Sequence, residues 1–452
     1  MAEKLPGNIS PAFGAMLDHL PANAPMDAIV VCRPAAVEPA AEMIRAPQVQ
    51  AEHRRELSER HEITIDRLVR GYLRSAGRRL RGQRPSVTRL GPLPAAAFEV
   101  TPATIGALAA QPGVVAVLPN QPARLIAPRD LVVGGSDDEE RSAGATWGLR
   151  QMQIPELWQT TRGAGITVAV FDTGVYGNHP ALAGRVKDFV VIDPQGRQIA
   201  TSAPFDIGRH GTHVCGTIAG GTTAEGIAIG VAPEVSLLVA TVLLGDTTLR
   251  TIMEGIGWAV ERGAHIINMS LGFSYYEPLF GEVFATLLKS FDVVPVVAIG
   301  NESTGHSSSP GNVSSALAVG AVEQTPRGLD VAFYSGGASL LLPGQTIDDL
   351  VVKPDIVAPG SRIYSCLPPE PYSEGVYEYG IVDGTSMAAP HVAGALALLM
   401  AAFPKTSAET IVDALTMTAA HPNGTARPDN RWGHGAARPL AALALLGAGG
   451  DG

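Results

Sequence analysis

Cysteine is scarce in this chain, with only Cys32, Cys215 and Cys366 among 452 residues. Three cannot all pair within one chain, and none stands in a CxxC or other metal-ligand spacing. Neither a disulfide framework nor a zinc site is implied. Charge is also sparse, 17% of residues, and tilts acidic, with 43 Asp and Glu against 33 Lys and Arg for a net −10. That balance removes any whole-molecule electrostatic case for a nucleic-acid partner or an anionic membrane. Long apolar runs are missing too: the stretch MAAPHVAGALALLMAAF is interrupted by Pro390 and His391 and falls short of a membrane span. The first 26 residues contain no continuous apolar segment of the signal-peptide kind. The expected location is therefore cytoplasmic, with export by another route left open.

What is present is apolar: 46% of residues are hydrophobic, the profile of a folded chain and not of a disordered one. At roughly 150 residues per domain the length suggests two or three domains. Glycine, proline and charge divide the sequence into an extension over 1–26, a small α+β unit over 27–126, an acidic Gly-containing linker over 127–146, a large α/β unit over 147–447 and a tail over 448–452. In the small unit, strands are expected at Asp27–Cys32, Ala96–Val100 and Val114–Val117. A charged helix is expected over Gln48–Ser75, and a second helix with Thr101 as its cap and Pro102 at its first position. Residues 45–90 carry 12 Arg against 5 acids, read as a solvated helix face ahead of an anion-binding one. In the large unit, apolar runs at Ile166–Phe171, Val235–Val242, His265–Met269, Val293–Ile299 and Ala316–Val322 alternate with helical segments such as Leu249–Arg262 and Leu279–Ser290. Strands so uniformly apolar suit a largely parallel sheet with helices on both faces, whose active sites gather at the carboxyl ends of the strands.

Three segments place a reactive side chain where such a strand or loop ends. Val168–Phe171 runs into Asp172; Arg209-His210-Gly211-Thr212-His213 opens a small-residue helix; Asp383-Gly384-Thr385-Ser386 puts a hydroxyl at the start of a long apolar helix. Singly, the Asp reads as a turn residue and the Ser as an N-cap. Jointly they supply the nucleophile, the base and the orienting carboxylate of acyl transfer. The helix start at Ser386 adds unpaired N–H groups, and Asn301, directly after an apolar strand, offers a side-chain donor for a developing oxyanion.

The motifs FDTG, HGTHVCGTIAG, INMSLG, AIGNES and DGTSMAAPHVAG, in that order, make residues 147–447 resemble the subtilisin-like serine proteases (subtilases). The order Asp, His, Ser fits that family, while GTSMA lacks the GxSxG elbow of the α/β-hydrolases. The resemblance implies a subtilisin-like α/β fold preceded by a ferredoxin-like inhibitory prodomain. It also implies a serine endopeptidase in which Asp172 orients His210, His210 is general base and acid, and Ser386 is the nucleophile. Asn301 and the Ser386 N–H would form the oxyanion hole. Ser270, Leu271 and Gly272 would pair with a protein or peptide substrate as an added strand, with Ala298, Ile299 and Gly300 as the facing wall. No cofactor is required for this chemistry. Calcium is left open, but a usual acidic ligand position is occupied by Ala181. His179, His213, His306 and His391 read as structural, and Cys215 as a small core residue. The N-terminal unit would act as an intramolecular inhibitor, making the chain a zymogen, with cleavage anywhere within 126–146 or not at all. The rival readings are a transpeptidase or macrocyclase of the same fold, and a non-catalytic peptide-binding module.

Overall fold

The structure is a computed structural model that describes residues 7–35, 47–77, 85–200, 203–273, 275–341, 346–369, 377–424 and 428–448. Its first sheet holds β1 (Met26–Cys32), β2 (Val87–Arg89), β3 (Ala95–Val100) and β4 (Val114–Pro119) in the order β2-β3-β1-β4, all antiparallel. With helices Pro47–Ala76 and Ile105–Ala109 between strands, the order is strand, helix, strand, strand, helix, strand, the ferredoxin-like arrangement. Side chains of a strand alternate between faces, and here both faces are covered. Ala28, Val30 and Cys32 pack with Ile65, Leu68 and Tyr72 of the long helix. Ile29 and Val31 face the other way, into a cluster shared with Trp258, Phe284 and Phe291 of the large domain. Double burial explains why β1 is apolar from Ala28 to Cys32 instead of alternating, and each Val or Ile among them is worth about 1.5–3 kcal/mol when buried.

Three local expectations change. The helix proposed to start at Thr101 begins at Ile105, because the Thr104 hydroxyl accepts from the Thr101 N–H at 2.9 Å and holds the preceding residues in a turn. The 1–26 extension contains a helix, Pro11–Leu17, capped by Ser10 and anchored by fully buried Phe13. The arginine-rich stretch is not simply a solvated face either: Arg54 is buried against the large domain, while Arg60 pairs with Glu56 and Arg89 with Glu62. Arg45, Arg78, Arg79, Arg81 and Arg84 lie outside the described residues.

The second sheet contains β7 (Thr167–Asp172), β8 (Val186–Ile192), β9 (Gln198–Ile199), β10 (Ser236–Thr241), β11 (Ile266–Met269), β13 (Val294–Ala298), β14 (Leu317–Thr325), β15 (Gly328–Val331) and β18 (Ile356–Pro359). The order is β15-β14-β13-β11-β7-β10-β8-β9 with β18 also on β14. Only the β14–β15 and β8–β9 pairs are antiparallel. Helix Thr385–Ala402 is buried nearly all round, Met387–Met400 being fully enclosed apart from a trace of exposure at His391. It has the length and apolarity to cross a membrane, yet 89% of it is buried inside the domain, as befits a core helix.

Residues 127–146, read as an exposed linker, carry β6 (Asp130–Val133) and the helix Asp138–Ala143. Asp137 caps that helix by accepting from the Glu140 N–H at 2.7 Å, and the Glu140 carboxylate accepts from the Trp147 N–H at 3.0 Å. The acidic run is therefore a helix start, where carboxylates satisfy orphan donors.

One buried acid gives the fold a pH signature. Burial on the Leu249–Glu261 helix pushes the Glu254 carboxyl up to about 7, offset only partly by Arg250. Between the unfolded value of about 4.3 and 7, the folded state holds a proton that the unfolded chain releases, so stability falls as pH rises. Glu254→Gln is expected to be more stable than wild type by about 1–2 kcal/mol at pH 8, after discounting for solvent screening, with a smaller difference at pH 5. Urea unfolding at both pH values checks this; a difference independent of pH would remove Glu254 as the cause.

Candidate active site

Because β7, β11 and β13 run parallel and adjacent, their carboxyl ends deliver Asp172, Ser270 and the Ile299-Gly300-Asn301 turn to one rim. His210 opens the helix His210–Ala219, which approaches the β7 end closely: a Cβ at Gly211 would lie 2.1 Å from the Gly174 carbonyl oxygen. Glycine at that position permits the approach. The His210 Nδ1 then sits 2.8 and 2.9 Å from the two Asp172 carboxylate oxygens. Facing an acceptor-only group, Nδ1 carries the hydrogen, which leaves Nε2 bare for proton abstraction. Asp172 is fully buried and accepts from the Thr173 N–H at 2.7 Å. Thr173 and Asp206 lie behind it, the Thr173 hydroxyl donating to Asp206 at 2.7 Å with its oxygen 3.2 Å from an Asp172 carboxylate oxygen. Sequence reasoning missed Thr173, although it stands inside FDTG.

Ser386 is the second residue of its helix, where backbone N–H groups lack intrahelical partners. Asn301 is oriented by Thr385, another residue missed: its Oδ1 accepts from the Thr385 N–H at 2.9 Å, which turns Nδ2 outward. The adjacency of Thr385 to Ser386 was the available signal.

The cleft these residues define is filled by the chain itself. β5 (Arg124–Leu125) pairs antiparallel with β12 (Leu271–Gly272), in register Leu271↔Leu125 and Gly272↔Arg124, and the Ile126 N–H donates to the Ser270 carbonyl at 3.1 Å. Beyond the cleft the Arg129 N–H donates to the Asp383 carbonyl at 2.8 Å, and β6 continues antiparallel to β20 (Glu378–Asp383), which itself pairs with β19 (Ile363–Leu367). Between these two ladders the Ser386 Oγ donates to the Ile126 carbonyl at 2.9 Å, whereas Asn301 Nδ2 donates to the Ala127 carbonyl at 2.8 Å. Hydroxyl and amide thus address neighbouring carbonyls, while attack requires both on one. Consistently, the link from Ser386 to His210 is not made, and His210 Nε2 has no hydrogen-bond partner among the described residues.

Ala298, Ile299 and Gly300 are fully buried or nearly so, and their backbone bonds run within the large domain, to Val319, Ser308 and Gly336, and not to the tail. His213 is enclosed with its Nε2 donating to the Ile363 carbonyl at 3.0 Å, and burial drops its pKa to about 3. His391 is likewise held neutral, its pKa lowered to about 4 by burial, with Nδ1 donating to the Met387 carbonyl at 2.7 Å. His179 accepts from the Ala181 N–H at 3.1 Å. Burial pushes the Cys215 thiol well above its usual range, which suits an inert core residue.

Comparison with known proteins matches residues 163–435 to the family model described as the Subtilase family. The major intracellular serine protease of Bacillus subtilis (strain 168) is 38% identical over 264 residues, 56% of this chain and 74% of that protein. Thermitase of Thermoactinomyces vulgaris is 34% identical over 285 residues, 62% of this chain and 90% of that protein. Among solved structures, the crystal structure of fervidolysin from Fervidobacterium pennivorans, a keratinolytic enzyme related to subtilisin, superposes with a TM-score of 0.66 at 25% identity. That match covers 94% of this chain, which spans 62% of the fervidolysin chain. A parallel sheet that gathers an acid, an imidazole, a hydroxyl and an amide donor at one rim, together with these matches, places the chain in the subtilase family as a serine endopeptidase.

Proposed function

We propose that the chain is a self-inhibited zymogen in which Asp172, His210 and Ser386 form the catalytic triad, and Asn301 with the Ser386 N–H forms the oxyanion hole. The carrying observation is the threaded segment 124–133, bonded as a strand on both sides of the cleft yet offering Ser386 one carbonyl and Asn301 the next. A peptide substrate lying on Ser270, Leu271 and Gly272 in the same sense, but with one carbonyl meeting both groups, would be attacked by the Ser386 Oγ. His210 takes the hydroxyl proton and returns it to the leaving amine, while Asp172 stabilises the imidazolium. The amine departs, and water releases the acyl group by the same route. These side chains supply the chemistry without a cofactor, and the Ala181 methyl cannot ligate calcium.

The small domain over 27–126 is the inhibitor in this reading, and activation removes it by a cut within 126–146. The segment 1–126, added to processed enzyme, is expected to inhibit it with saturation; no inhibition at any concentration would count against the inhibitor role. Asn301→Ala is expected to lower kcat by roughly 10²–10³ with little change in KM, since the donor acts on charge developed in the transition state. An effect confined to KM would place Asn301 outside the oxyanion hole. We also propose that the enzyme works inside the cell. Two similar proteins are named as intracellular serine proteases, and the three cysteines are free and buried, as suits a reducing compartment.

A further inference from the structure

A half-open cavity of about 450 Å³ lies between the small domain and the large one, at the opposite end of the sheet from the cleft. It opens beside Thr167, where β7 starts, whereas Asp172 ends that strand. Gln50, Arg54 and Arg55 of the Pro47–Ala76 helix form one wall; Lys187, Glu261 and Arg262 belong to the other. Four of these six side chains are cationic and one is acidic, although Arg262 also lies 3.4 Å from Asp188.

The buried polar atoms of the helix wall are closed off from this space. Arg54 is 7% exposed and spends its two terminal nitrogens on the Val260 and Ala264 carbonyls, at 3.1 and 2.7 Å, leaving Nε buried without a hydrogen-bond partner among the described residues. Gln50 is 6% exposed. The His265 Nδ1 accepts from the Thr167 N–H at 3.0 Å, so its Nε2 is the donor to Gln50 Oε1 at 3.0 Å, and Gln50 Nε2 is left buried without a hydrogen-bond partner among the described residues. Both orphan atoms are donors. Neither has accessible surface, and Arg54 also faces Asp292, so the charge presented to the cavity is that of exposed Arg55, Lys187 and Arg262, which suits a ligand rich in acceptors and negative charge.

We propose that this cavity binds a compact oxyanion carrying two or more charges, gripped by Arg55 on one side and by Lys187 and Arg262 on the other, and that the bound anion ties the small domain to the large one. A ligand held by both walls binds only the docked arrangement. By linkage, docking strengthens about 100-fold at a ligand concentration of 100 Kd.

The test uses the full chain carrying Ser386→Ala, so that no self-digestion intervenes. Pyrophosphate and citrate are the probes, with sodium chloride at matched ionic strength as the screening control. Titration calorimetry is expected to give saturable one-site binding. Hydrogen exchange at the Ile126 amide, protected only while the tail is docked, is expected to slow by up to about 100-fold at saturation. A preference for pyrophosphate marks a phosphate ligand, and a preference for citrate a polycarboxylate. Combining Arg55→Ser with Lys187→Ser, both exposed and so harmless to the fold, is expected to weaken binding at least tenfold. The proposal is overturned by no saturable binding of either probe, by unchanged affinity in the double variant, or by sodium chloride reproducing the slowing. Turnover of the wild-type chain forms a separate arm that rests on the inhibitor reading: slowed exchange without lowered turnover supports the tie and counts only against inhibition.

Discussion

Ser386→Ala is expected to reduce kcat by about 10⁶, the scale known for loss of the nucleophile in subtilisin, a relative of this chain. The fold should persist. Among the described residues the one side-chain hydrogen bond made by Ser386 goes to the Ile126 carbonyl, and one such bond is worth about 0.5–1.5 kcal/mol. The tail keeps its ladder on β12 and β20, so the variant should also accumulate as a single full-length species wherever the wild type processes itself. Steady-state kinetics with a peptide substrate, together with intact-mass analysis, check both parts. A loss of less than tenfold would take the nucleophile role from Ser386, and an undiminished cleavage product would mean that processing is done by another protease.

Deleting Pro128 is expected to convert the tail from an occupant into a substrate. Ile126 is pinned by Ser270 on one side and Arg129 by Asp383 on the other, with two residues, Ala127 and Pro128, between them. That spacing leaves the carbonyl engaged by Asn301 one residue beyond the carbonyl engaged by Ser386. Removing one residue should bring the Ile126 carbonyl under both groups and make Ile126–Ala127 the scissile bond. Misplacement of about 1 Å at a reacting centre costs about 10²-fold, so self-cleavage of the deletion variant is expected to be at least that much faster than in the wild type. It should vanish again when Ser386→Ala is added. N-terminal sequencing over time is the measurement. Wild-type chain that cuts itself at the same bond and rate would show that the offset does not protect it.

Much of the fold and of the site is legible in the amino-acid order. The strands Thr167–Asp172, Ile266–Met269 and Val294–Ala298 announce themselves as apolar runs because both faces of a parallel sheet are covered, and their ends are where chemistry-bearing residues stand out. The short helix after Thr101 starts later than its cap signal suggests because a threonine hydroxyl competes with the helix for backbone partners. The acidic run at 137–140 reads as loop because a capping function depends on which N–H groups lie nearby, which composition does not encode. Thr173 and Thr385 escape notice because orienting a neighbour leaves no pattern of its own.

Sequence alone determined the class of reaction and named the residues proposed to perform it, since hydroxyl, imidazole, carboxylate and amide donor are chemical identities carried in ordered motifs. Tertiary structure alone decided that Ile126 and Ala127 share the donors of the cleft, and that Arg54 and Gln50 meet Lys187 and Arg262 across a cavity. Those facts depend on register and on the docking of segments more than a hundred residues apart, and a one-residue offset between two ladders leaves no trace in either strand.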